Sequence, residues 1–76
     1  MSMNQQQLRN IIEAALFAAN EPLSVNKLLT LFSNDEMPER EDIRAVLDTL
    51  VEEWSDRGIE LKQVGSGYRF QVRQEL

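Results

Sequence analysis

The sequence predicts a small α+β domain in which three helices precede a β-hairpin. Three observations carry this. A chain of 76 residues has room for one domain and no second. Apolar residues recur at spacings of three and four as far as Trp54. Beyond Gly58 the apolar period changes to two, the spacing of half-buried strands. With 42% apolar and 28% charged residues and only three Gly and two Pro, the composition is that of a folded globule, not a linker. The core is expected to be thin, because so short a chain buries only about 60% of the surface its unfolded form exposes. An apolar face is then left for another domain or subunit to cover.

Leu8, Ile11, Ile12, Ala15, Leu16 and Ala19 fall on one stripe of a helix predicted over residues 4–20. Asn20 and Pro22 end it, since Pro22 lacks the next donor and biases Glu21 toward extended backbone. Phe17 lies opposite the stripe and needs a separate explanation. Ser24 is an N-cap for a short second helix with Val25, Leu28, Leu29 and Phe32, and Leu23 before it is set to staple or pair. Residues 33–37 are a polar breaker, and Pro38 suits the first turn of a third helix over residues 38–57. Ile43, Val46, Leu47, Leu50, Val51 and Trp54 form its inward stripe, which assigns Trp54 to the core. Gly58 is expected to end that helix in left-handed backbone. Ile59 and Leu61, then Tyr68, Phe70 and Val72, alternate with polar residues around a Gly65-Ser66-Gly67 turn. An isolated hairpin is barely stable, so Tyr68, Phe70 and Val72 must pack on the helices. This is the order of a single winged helix-turn-helix domain, three helices followed by a β-hairpin wing, over residues 1–76. A generic α+β mini-domain shares the order.

The residue types exclude much chemistry. With no Cys and no His there is no disulfide, thiolate nucleophile, Cys-ligated zinc or imidazole base. Glu52 and Glu53 are the sort of carboxylates a small hydrolase would use, but adjacent helix residues point about 100° apart. No enzyme activity, metal or cofactor is expected. The apolar run at residues 14–19 is far shorter than the roughly 20 residues of a membrane span, and no basic n-region opens the chain. A cytoplasmic location, with no membrane partner, is the expectation.

Charge decides between partners. Residues 35–60 carry three Arg against ten carboxylates, a balance of −7 within a chain of net charge −5. The third helix would therefore repel a duplex, because phosphate contacts supply most non-specific DNA affinity. The segment between helices two and three also exceeds the three or four residues of a DNA-reading turn. On the wing, Lys62, Arg69 and Arg73 are the backbone-phosphate contacts that an alternative reading, a DNA-binding transcription regulator, would use. Glu41, Asp48, Glu52 and their neighbours keep the helix soluble or offer a docking face to a basic partner.

Two segments carry a resemblance. Residues 12–24, IEAALFAANEPLS, and residues 59–73, IELKQVGSGYRFQVR, are similar to the EALLFxxxxPLS opening and the ELxxVxxGYRLQTR wing of the bacterial segregation and condensation protein B family. They stand in the family's order and spacing, so the resemblance covers nearly the whole chain. It implies the N-terminal winged-helix domain of a non-catalytic accessory subunit of the SMC condensin complex, acting in chromosome condensation and segregation. It also implies a homodimer, and binding to the kleisin ScpA and through it to SMC at the nucleoid. Direct nucleic-acid binding is not expected. Family members carry a second winged-helix domain, and this chain ends after the first wing, so it corresponds to the N-terminal half with the second domain absent. Phe17 and Leu31, which the inward stripes do not use, are the expected partner interface.

Overall fold

The computed structural model describes residues 4–73. Its elements follow in the order α1 (Gln5–Ala18), β1 (Leu23–Ser24), α2 (Val25–Leu29), α3 (Arg40–Glu53), β2 (Ile59–Val64) and β3 (Gly67–Val72). This is a winged helix-turn-helix with one more strand than the periodicity predicts.

Local hydrogen bonds explain where each helix starts. The Asn4 side chain accepts from the Gln7 N–H at 2.8 Å, and Gln7 Oε1 accepts from the Asn4 N–H at 3.1 Å, a reciprocal cap for α1. Ser24 Oγ accepts from the Lys27 N–H at 3.1 Å, as expected for the cap of α2. That helix is shorter than its stripe. The N–H groups of Thr30, Leu31 and Phe32 donate to carbonyls three residues back, so Leu31 and Phe32 lie in the tightened turn after α2. Helix α3 begins two residues later than expected. Glu39, in extended backbone, is its N-cap, and its N–H donates to Asp42 Oδ2 at 3.1 Å; Pro38 therefore precedes the helix. Ten residues separate α2 from α3.

The expectation for Gly58 is corrected. Among the described residues only Gly65 has positive φ, at 62°. Helix α3 stops at Glu53, and Trp54 at φ −99° is its C-cap. The carbonyls just beyond the helix are met from a distance: the Arg73 guanidinium donates to Trp54 O at 3.0 Å and also to the carbonyls of Ser55 and Arg57. A side chain from the end of the wing thus holds the segment that follows α3.

Strand β3 is central, with order β1-β3-β2 and both pairings antiparallel. Two residues, Gly65 and Ser66, join the paired Val64 and Gly67, and a positive φ at the first of them is what a type II′ hairpin turn requires. Leu23 and Ser24 pair with Tyr68 and Gly67. Gly67 is needed there, since a Cβ would stand 2.8 Å from Pro22 Cβ and 3.0 Å from its carbonyl carbon.

Ile12, Leu28, Ile43, Leu47 and Leu50 are fully buried where the helices meet, and Leu61 closes the core from the sheet. Ile11 and Val51, expected on the inward stripes, are each 38% exposed. Both lie roughly 80° from the middle of their stripes, at the edge of what a neighbouring element covers.

Candidate partner-binding surface

Leu61 faces Phe70 across the hairpin and Ile59 faces Val72, so Phe70 and Val72 share the sheet's inner face. Phe70 meets Phe17 from the end of α1 in a nearly parallel stack, with centroids 4.2 Å apart and planes at 12°. Trp54 stands edge-on to both rings, at 5.4 and 5.2 Å. Its Nε1–H donates to Glu13 Oε2 at 3.2 Å, and the Arg57 guanidinium lies 4.7 Å from the ring centroid, a cation–π contact. Trp54 is thus partly buried against the core, joining α1, α3 and the wing.

Phe17 is not idle in the monomer, although it is 48% exposed. One side of its ring is packed and the other is open. Sequence reasoning missed the stack because Phe17 and Phe70 are far apart in the chain and only the folded hairpin brings them together. Beyond Phe17 a shallow groove is lined by Leu16, Ala19, Ile59, Phe70, Gln71 and Val72, with Val72 66% exposed. Leu31 is 50% exposed but lies in the turn after α2 and does not line that groove.

The wing cations divide. Lys62 and Arg69 are exposed and directly opposite each other. Arg73 has its guanidinium on the carbonyls after α3 and stands 3.7 Å from Glu60. It is committed within the domain, which leaves the DNA-binding alternative two of its three proposed contacts. A cleft of about 360 Å³ beside the start of α3 carries Asp35, Glu36, Glu39 and Asp42, the reverse of a phosphate-binding lining. Among the described residues, no three His, Cys, Asp or Glu side chains are grouped to hold a metal ion, and no helix is long and apolar enough to cross a membrane.

The family model for segregation and condensation complex subunit ScpB matches residues 10–76. The chain belongs to the ScpB family. A segregation and condensation protein B homolog from Coxiella burnetii is 40% identical over 74 residues, which are 97% of this chain. The chain spans only 35% of that curated relative's length. Among solved structures, ScpB from Mycobacterium tuberculosis has a TM-score of 0.80 at 21% identity, over 96% of this chain and 44% of that one. A conserved hypothetical protein from Chlorobium tepidum has a TM-score of 0.74 at 23% identity, over 93% and 44%; these two likenesses speak to the fold. A dimer of an ScpB N-terminal domain complexed with an ScpA peptide has a TM-score of 0.74 at 25% identity, over 92% of this chain and 85% of that one.

Proposed function

We propose that this chain is a non-catalytic interaction module that forms a homodimer and binds a kleisin peptide of the ScpA type, serving the SMC condensin complex in chromosome condensation and segregation. The observation that carries the reading is the likeness, over 92% of the chain, to an ScpB N-terminal domain solved as a dimer with an ScpA peptide. Phe17 and Leu31, half-exposed apolar side chains on a soluble domain, are the interface candidates. The setting is the cytoplasm, at the nucleoid through the complex. The DNA-binding alternative is the weaker reading: α3 and the turn before it are acidic, the turn is long, and Arg73 is engaged internally.

Sedimentation of the 76-residue chain across a concentration series, followed by titration with a fluorescent ScpA peptide, tests both partners. Dimer mass and saturable peptide binding are expected. A monomer at all concentrations that also ignores the peptide defeats the proposal. Duplex DNA titrated at low and moderate salt should give little shift, and a tight, salt-sensitive complex would favour the regulator.

A further inference from the structure

Strand β2 lies at the edge of the sheet, with β3 on one side of it. Its register with β3 runs from Ile59 to Val64 without a bulge, and beyond it the Arg73 N–H donates to Gly58 O at 2.9 Å. Bonded and unbonded pairs alternate along an antiparallel ladder, so the pairs that bond to β3 are Glu60 with Gln71, Lys62 with Arg69 and Val64 with Gly67. The backbone N–H and C=O groups of Ile59, Leu61 and Gln63 therefore point away from β3, along the open edge. Among the described residues, no hydrogen bond from outside the sheet reaches them. Natural edges are commonly guarded by a proline, a bulge or a covering element; β2 has neither proline nor bulge.

We infer that this edge takes an extended segment of another protein as a fourth strand, with residues alternately apolar and acidic. The two faces of β2 select that chemistry. Ile59, Leu61 and Gln63 share the face turned to the helices, and Ile59 lines the apolar groove with Phe17 and Phe70. The opposite face carries Lys62 and Arg69, exposed and side by side, while Glu60 on that face is paired with Arg73. Residues 61–73 hold three cations and no carboxylate, so the wing's local charge is the reverse of the chain's net −5. Main-chain bonds to Ile59, Leu61 and Gln63 supply affinity, as in strand addition generally. Apolar side chains beside Ile59 and carboxylates beside Lys62 supply selectivity. The inference goes beyond the partners proposed above and stands whether or not the chain dimerises.

The test is an NMR titration of the isotope-labelled 76-residue chain with a short synthetic peptide alternating valine and glutamate. Saturable shifts and slowed hydrogen exchange are expected at the amides of Ile59, Leu61 and Gln63. A peptide alternating valine and lysine should bind about tenfold more weakly or worse, although the chain's net charge alone would favour it. Gln63→Pro removes an outward donor and leaves the ladder to β3 intact; it should weaken the valine–glutamate peptide about tenfold with an unchanged circular dichroism spectrum. Lys62→Glu should erase the preference for glutamate. Two peptides N-methylated at alternate residues reach the same point without altering the chain: one should lose binding and the other keep it, because an added strand bonds along one edge only. Equal loss from both, shifts confined to the acidic cleft at Asp35 and Glu36, or tighter binding of the lysine peptide would overturn the inference. Concentration-dependent shifts at the β2 amides without any peptide would give the edge to a second copy of the chain and overturn it too.

Discussion

Helices α1 and α3 are both 14 residues long and both bury one apolar stripe, yet their outer faces have opposite characters. That of α3 carries Glu41, Asp48 and Glu52, exposed to solvent, while that of α1 carries Ile11, Ala14, Phe17 and Ala18. The inward faces make the fold and are interchangeable in kind. The outward faces differ in kind: that of α3 is charged and hydrated, and that of α1 is neutral and largely apolar. A winged helix commonly sets its third helix in a DNA groove, and the acids on α3 here are poorly suited to that use.

The comparison is broken most severely from the inside. Ile12→Ala in α1 and Leu47→Ala in α3 each truncate a fully buried side chain and should cost about 2–5 kcal/mol, a large part of what so small a domain possesses. Thermal unfolding should register both as falls of more than about 10 °C, and equal falls would bear out the equivalence of the two inner faces. Next comes Trp54→Ala, expected to cost about 3 kcal/mol because it removes the ring on which Phe17 and Phe70 rest. A melting temperature within a few degrees of the parent would mean that the cluster contributes little. Arg73→Ala should cost about 2 kcal/mol through the loss of charge-assisted bonds to the carbonyls after α3. Arg73→Lys should recover little, since an ammonium cannot spread over three carbonyls as a guanidinium does. Denaturant unfolding measures both. The smallest effect sharpens the comparison: Asp48→Lys, on the exposed face of α3, should change stability by less than about 0.5 kcal/mol and leave the sedimentation mass alone. A variant at Asp48 that altered assembly as much as one at Phe17 would erase the distinction between the two helices.

Much of this was legible in the residues. The stripes through Ile12 and Leu16, and through Ile43, Leu47 and Leu50, are periodic enough to identify α1, α3 and most of the core, and Ser24 announces its helix by its own side chain. The change of period at Ile59 and the glycines around Ser66 give the hairpin. Ile11 and Val51 were misjudged because periodicity tells which way a side chain points, and only the neighbouring element decides how far the cover extends. Pro38 was misjudged because Asp42 reaches back to Glu39 and sets the helix start one residue beyond it.

The sequence by itself determined the kind and order of the helices and hairpin, the acidity of α3, the absence of thiol and imidazole chemistry, and the family. These are properties of residue type and short-range spacing, which act within a turn or two of the chain. Tertiary structure alone decided that Leu23 and Ser24 form a third strand, because pairing depends on Gly67 letting Pro22 approach. It decided that Arg73 holds the carbonyls after α3 and is thereby withdrawn from the wing's solvent-facing charge. It also decided that Phe17 stacks on Phe70 with one side of its ring still open. Each of these joins residues far apart in sequence through contacts a few ångströms long, and local periodicity cannot encode which distant partners the folded chain brings within reach.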